Sequence, residues 1–197
     1  ALYATEAGAQ EALALLQAQD FFADCQVLGL SPVPDQDWVR LTQSQFAPVD
    51  ITPDFWIVPT WHEPPEAARI VIRLDPGLAF GTGTHPTTRM CLRWIAGQGA
   101  QGLGRVLDYG CGSGILAIAA AKFDAREVDA FDIDPAAVDA TAQNAQANQV
   151  TLHTGLPDAV SGVYQTVLAN ILATTLKVMD HLLWSRVAPG GHLVLAG

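Results

Sequence analysis

Val106-Leu107-Asp108-Tyr109-Gly110-Cys111-Gly112-Ser113-Gly114 runs from an apolar segment through three alternating glycines into the helix-forming residues 115–123. Arg105 to Tyr109 reads as a buried strand and Ile115 to Phe123 as a helix, so the glycines mark a tight strand-to-helix turn. Gly110 permits the turn, Gly112 lets the backbone approach a ligand, and Gly114 allows close helix–strand packing. The helix start offers backbone N–H groups and a partial positive charge. Because Ile115 stands at the sixth position, the spacing is G-x-G-x-G and not the G-x-G-x-x-G of diphosphate-binding turns. A purely structural turn is the plainer reading of the glycines alone.

Downstream of this turn the chain alternates. A strand is expected at 128–133, a helix at 135–147, short strands at 151–153 and 165–169, a helix at about 174–186 and a strand at 192–196. Upstream lie a helix at about 86–96 and strands at 55–58 and 69–74. The first residues add a helix at 5–19, a strand at 25–30 and a helix from Trp38 to Phe46. Strands alternating with helices of this length imply an α/β fold: a doubly wound parallel sheet covered on both faces, behind a partial α+β N-terminal portion. The proline-rich run from Pro59 to Pro65 suggests the division: 1–58 an N-terminal domain, 59–68 a linker, 69–197 the sheet domain.

Composition narrows the class. Of 197 residues, 50% are hydrophobic and 15% charged, which excludes intrinsic disorder. No apolar run approaches the ~18–20 residues of a membrane span, and no basic segment followed by an apolar one marks a signal peptide. Ten Lys and Arg stand against twenty Asp and Glu, a net charge of −10, which argues against direct nucleic-acid binding. Residues 1–74 carry ten acids and three bases, net −7, so the acidity is concentrated at the front. A solvated face explains it simply; attraction of a basic partner is the sharper reading. Cys25, Cys91 and Cys111 form no CxxC pair, give neither a disulfide framework nor a metal site, and suit reduced thiols in the cytoplasm.

Three further features carry chemistry. Asp132, in Ala130-Phe131-Asp132-Ile133-Asp134-Pro135, follows Gly110 by about one strand–helix–strand unit, where an acid accepts both ribose hydroxyls. Asp134 is the alternative, although an N-cap role before Pro135 explains it without a ligand. Asp108 reads as structural, orienting the glycine loop or meeting a ligand amino group. The loop Asp75-Pro76-Gly77-Leu78-Ala79-Phe80-Gly81-Thr82-Gly83-Thr84-His85-Pro86-Thr87-Thr88 could close over a ligand. It reads equally as a capping segment with Thr84 as N-cap, and His85 as a polar contact. Asn170, in Leu168-Ala169-Asn170-Ile171-Leu172-Ala173, ends the fourth strand at the topological switch, where its amide can accept from or donate to an amine. A loop-capping Asn is the plain alternative.

A ribose acid with a shortened glycine turn selects a nucleoside ligand without a diphosphate, and resembles the class I S-adenosylmethionine-dependent methyltransferases with their Rossmann-like sheet. Four motifs in order make the likeness specific: the loop Gly77 to Thr88, the turn Asp108 to Ala120, Asp132-Ile133-Asp134-Pro135 and Ala169-Asn170-Ile171-Leu172. Together they resemble the bacterial ribosomal protein L-eleven methyltransferases, the PrmA family, over about residues 35–197, with Asp37-Trp38 and Phe55 to Pro59 similar to the interdomain region. The resemblance implies S-adenosyl-L-methionine as cofactor. It implies methylation of lysine ε-amines and the N-terminal α-amine of a basic large-subunit ribosomal protein. Cofactor contacts carry over to Thr88, Gly110, Gly112, Asp132 and Asn170, with Phe80, Thr82 and His85 in the second rank. Because methyl transfer from a sulfonium needs alignment and no general base, Asn170 is expected to orient the substrate amine and not to accept its proton. Base-amine methyltransferases usually carry Asn/Asp-Pro-Pro-aromatic where this chain has Asn170-Ile171-Leu172-Ala173. The resemblance also carries the expectation that the chain opens inside a substrate-recognition domain and stops before the last strands of the sheet.

Overall fold

The computed structural model describes residues 5–22, 24–30, 46–75, 83–99 and 102–197. The chain divides into two compact units, residues 1–42 and 43–197. In the first, helix α1 (Glu6–Gln17) begins where the Thr5 hydroxyl accepts the Gly8 N–H at 3.1 Å. Residues 25–30, expected as a strand, form none. A strand exists through its ladder to a neighbour, and among the described residues nothing pairs with this segment. The helix expected from Trp38 and the Asp37-Trp38 pair fall outside the described residues; only its last residue, Phe46, is described, and it is not helical.

The second unit holds two sheets. Strands β1 (Val49–Thr52), β2 (Phe55–Val58) and β3 (Ile70–Arg73) form the smaller one, antiparallel between β1 and β2 and parallel between β2 and β3. β1 is an addition to the sequence reading, yet its signal is plain: Val49 and Ile51 alternate with polar residues before the Pro53-Asp54 turn. The segment 59–68 therefore connects two paired strands of one sheet.

The larger sheet contains β4 (Arg105–Tyr109), β5 (Glu127–Phe131), β6 (His153–Gly155), β7 (Tyr164–Asn170) and β8 (Val187–Ala196), all parallel in the order β6-β5-β4-β7-β8. Helices α2 (Pro86–Ala96), α3 (Ile115–Lys122), α4 (Pro135–Ala147) and α5 (Ala173–Ser185) complete the Rossmann-like alternation. β8 starts five residues before its expected position. Pro189-Gly190-Gly191 reads as a turn, and the chain makes a local excursion there, with Val187 opposite Tyr164 and His192 opposite Thr166.

Residue alternation gives each sheet face its own core. Val106, Val128, Ala130 and Leu168 meet α3 and its neighbours, while Leu107, Phe131, Val167 and Ala169 meet Leu183 of α5. α3 is apolar on every side, with Ile115 to Ala120 all buried, as a helix enclosed by other elements must be. The small sheet is clamped to this core at both edges. From α2, Arg89 Nη2 and Arg93 Nε donate to the Asp50 and Ile51 carbonyls at 2.7 and 2.9 Å. At the other edge, the buried Asn148 amide mimics a strand: its Oδ1 accepts from Arg73 N at 2.8 Å and its Nδ2 donates to Arg73 O at 2.7 Å.

Strand order reverses between β4 and β7, and Asp108 lies opposite Leu168. The carboxyl ends of these two strands are thus neighbours, and Gly110 and Asn170 emerge side by side at the switch point.

Candidate active site

The glycine turn is built on hydrogen bonds to β5. Gly110 and Cys111 both donate to the Phe131 carbonyl, at 2.8 and 3.1 Å. Gly110 has φ +79°, and a Cβ there would lie 2.4 Å from Ile171 Cγ2, so both conformation and space require glycine. Gly114 caps α3 at φ +78°, and a Cβ there would meet Thr141 Cγ2 of α4 at 2.7 Å. The close approach foreseen at Gly114 is therefore helix to helix, not helix to strand.

With glycine at the N-cap, α3 has no side-chain cap of its own, and Asp108 supplies one from β4. Its Oδ2 accepts the Ala117 N–H at 3.0 Å. The carboxyl is 1% exposed, and among the described residues its Oδ1 has no hydrogen-bond partner. Burial, helped by the Asp132 charge and opposed by the Ala117 N–H, pushes its pKa up to about 7. Burial, reinforced by Asp108, also pushes the Cys111 thiol up to about 12, so this cysteine stays a thiol beside Thr141 Oγ1 at 3.2 Å.

Asp132 joins the turn directly: its Oδ2 accepts from Gly112 N at 2.9 Å and its Oδ1 from Asp134 N at 3.0 Å. Asp134 does what its position before Pro135 suggests, accepting the Ala136 N–H at 2.9 Å as the N-cap of α4. Asn170 Nδ2 donates to Thr88 Oγ1 at 3.0 Å across 82 positions of sequence. Thr88 is fully buried. The N-cap of α2 is His85, not Thr84: the His85 ring accepts from Thr87 N at 3.4 Å and lies 2.7 Å from Thr87 Oγ1, because Pro86 at the first helical position sets the cap one residue later. Phe80 and Thr82 lie outside the described residues.

One cavity of about 670 Å³ takes in His85, Thr88, Gly110, Gly112, Asp132 and Asn170, together with Asp108. This is a common volume for a small-molecule site. The sequence reading passed over Ile133, Pro157, Leu172 and Met179 in its walls. Ile133 and Leu172 are 85% and 75% exposed, large apolar side chains displayed at the mouth of a pocket. Their signal is legible afterwards: each is a large aliphatic residue just past a polar strand end, Ile133 one residue after Asp132 and Leu172 two after Asn170.

Outside the cavity, a second polar cluster spans β4, β5, β6 and β7. Buried Asp129 accepts from Arg105 Nη2 at 2.8 Å and from the Tyr164 hydroxyl at 2.6 Å, and pairs with His153 Nδ1 at 3.1 Å. Arg105 also stacks over the Tyr164 ring at 4.4 Å. Among the described residues, no helix is long and apolar enough to cross a membrane.

The family model described as ribosomal protein L11 methyltransferase (PrmA) matches residues 1–197. A ribosomal protein L11 methyltransferase of Polaromonas sp. (strain JS666 / ATCC BAA-500) is 71% identical over 198 residues, covering 100% of this chain and 66% of that protein. The protein of the same description from Bordetella parapertussis is 58% identical over 179 residues, covering 85% of this chain and 58% of the relative. The chain thus spans two-thirds or less of the length of these curated relatives. Among solved structures, the ribosomal protein L11 methylase of Lactobacillus delbrueckii subsp. bulgaricus superposes with a TM-score of 0.69 at 35% identity, over 77% of this chain and 80% of that one. With described residues of all four motifs lining one cavity of a Rossmann-like sheet and a family match along its whole length, the chain belongs to the ribosomal protein L11 methyltransferase (PrmA) family.

Proposed function

We propose that this chain carries the catalytic core of a protein methyltransferase that uses S-adenosyl-L-methionine to methylate lysine ε-amines and the N-terminal α-amine of a basic large-subunit ribosomal protein of the L11 type. The observation that carries the reading is the joining of Asp132 to the glycine turn and of Asn170 to Thr88 within one cavity. When bound, S-adenosyl-L-methionine would supply an electrophilic methyl group on a sulfonium, with the neutral thioether as leaving group for an attacking amine nitrogen.

The cavity fits such a ligand. Asp108 Oδ1 is a buried acceptor without a partner, suited to an ammonium group. The glycine turn keeps side chains away from the helix start, where a carboxylate is favoured. Asp132 uses two of its lone-pair positions on backbone N–H groups and has others for two ribose hydroxyls. Ile133 and Pro157 offer apolar surface for a base. Asn170 lines the same cavity and donates to Thr88 there, which supports a role for it at the substrate amine.

The protein's remaining task is alignment. Only a neutral amine attacks, and the apolar walls from Ile115, Leu116, Ile171 and Leu172 disfavour the ammonium form. No side chain is required to take the proton, which leaves to water; Asn170 orients the amine and does not titrate. The net charge of −10 favours a basic protein over nucleic acid, and the free cysteines suit a cytoplasmic setting.

Asp132→Ala should weaken S-adenosyl-L-methionine binding about tenfold or more by calorimetry. An unchanged affinity would reassign the ribose contact to Asp134. For the substrate, mass spectrometry of the ribosomal protein after incubation with the complete enzyme should show added methyl groups on amines. Methyl groups found only on ribosomal RNA would defeat the reading.

A further inference from the structure

The parallel register brings three ligand-type side chains together on the larger sheet, none of them in the cavity. Glu127 and Asp129 stand two residues apart on β5 and so share a face, and Asp129 lies opposite His153 of β6. His153 Nδ1 is 3.1 Å from Asp129 Oδ1 and 3.8 Å from Glu127 Oε1. The three ligand atoms lie within 4.8 Å of one another. The outer oxygens are already engaged: Asp129 Oδ2 accepts from Arg105 Nη2 and the Tyr164 hydroxyl, and Glu127 Oε2 pairs with Arg105 Nε at 3.2 Å. Each carboxylate thus keeps its other oxygen on the imidazole side. Bonds behind a ligand are what orient the carboxylates of metal sites. A proton on Nδ1 accounts for the contact with Asp129 and leaves Glu127 Oε1 beyond hydrogen-bond reach; a cation joins all three groups.

We propose that Glu127, Asp129 and His153 bind a divalent ion of the zinc type, which ties edge strand β6 to β5. The site is independent of the methyl-transfer reading. With zinc bonds of about 2.0–2.2 Å, neighbouring ligand atoms of a tetrahedral site stand roughly 3.3–3.6 Å apart. The separations of 3.1 and 3.8 Å bracket that range, so small side-chain rotations suffice. An imidazole among the ligands selects zinc over magnesium or calcium, which take oxygen. Two carboxylates against one guanidinium leave excess negative charge to meet the cation. His153 is exposed, so water completes the coordination. β6 has three residues and, among the described residues, pairs only with β5, so it has few bonds of its own. A metal–imidazole bond at its first residue would hold it in place.

The test titrates zinc chloride into the complete enzyme, first freed of metal by chelation and dialysis, and reads calorimetric affinity and thermal midpoint. His153→Ala and Glu127→Gln are compared with the unsubstituted protein, and His181→Ala, at an exposed histidine of α5, is the control. Zinc should bind saturably and raise the midpoint as its concentration rises, because the ion favours the folded state. His153→Ala should abolish both effects. Glu127→Gln should weaken the affinity about tenfold or more, since binding requires an ionised carboxylate. His181→Ala should change neither, and millimolar magnesium chloride should not displace the zinc. Absence of saturable zinc binding would leave an ion-pair network alone and overturn the inference. So would binding that survives His153→Ala, which places the ion elsewhere. An affinity untouched by Glu127→Gln would reduce the site to a lone surface imidazole and overturn it equally.

Discussion

Asp108→Asn is expected to make the protein more stable at pH 8 than the unsubstituted chain, and to bind S-adenosyl-L-methionine more weakly. Asp108 is 1% exposed, with one oxygen on the Ala117 N–H and the other unpartnered, and its folded pKa is pushed up to about 7. In the unfolded chain an aspartate titrates near 3.9. Below about pH 4 both states hold the proton and the group is silent. Between about pH 4 and 7 the folded state holds a proton that the unfolded state has lost, so stability falls as pH rises. Above pH 7 the penalty is complete, on the order of 4 kcal/mol for a shift of about three units. The asparagine escapes it, still accepts from Ala117, and leaves one buried N–H without a partner at about 1–3 kcal/mol. A net gain of about 1–3 kcal/mol at pH 8 and none at pH 5 follows, read by urea unfolding at the two values. An equal difference at both pH values would remove the buried charge as its cause.

The same carboxyl links cofactor affinity to pH. If the ionised form receives the ligand's ammonium, the fraction competent to bind is about one half at pH 7 and about one tenth at pH 6. Apparent affinity should therefore fall roughly tenfold between pH 8 and pH 6, and Asp108→Asn should be weak and flat across that range. A pH-independent affinity in the unsubstituted protein would place the ammonium elsewhere. Stability given up by Asp108 at neutral pH is the kind of local strain that binding sites retain.

The largest loss of stability is expected outside the cavity, at Asp129. Its carboxylate, 4% exposed, serves Arg105, Tyr164 and His153 together. Asp129→Ala leaves a buried tyrosine hydroxyl without its acceptor and a guanidinium, only 21% exposed, short of its nearest partner. Removing one member of a buried pair costs about 3–5 kcal/mol. Glu127, 3.2 Å from Arg105 Nε, holds the figure toward the lower end. His153 is 69% exposed, and His153→Ala should cost less than about 1 kcal/mol. Chemical unfolding orders the two variants, and calorimetry should find cofactor affinity unchanged in the folded Asp129 variant. Equal losses from both variants, or a loss below 1 kcal/mol for Asp129→Ala, would contradict this account.

From Arg105 onward the fold is legible in the chain, because each element carries a local signal. β4 and β5 are short segments in which apolar residues surround one aspartate each, α3 opens at a glycine turn, and α4 begins at an Asp-Pro cap whose bond to Ala136 forms as its spacing implies. The signal fails where structure depends on a partner. Residues 25–30 have strand composition without a described ladder, while the modest Val49–Thr52 becomes a strand because β2 lies beside it. The turn residues Pro189-Gly190-Gly191 interrupt β8 without ending it, since β7 holds both sides of the excursion.

The site divides in the same way. Sequence by itself determines which groups are available: a glycine turn, an acid one strand–helix–strand unit later, an asparagine at a strand end. Those follow from spacing along one chain. Tertiary structure alone decides what the groups do to one another, since a hydrogen bond or a buried charge depends on neighbours remote in sequence. It ties Gly112 to Asp132, leaves one oxygen of Asp108 unpartnered, and sets Thr88 against Asn170 across 82 residues. Desolvation then raises the Asp108 pKa toward neutrality, a property no local pattern of residues contains.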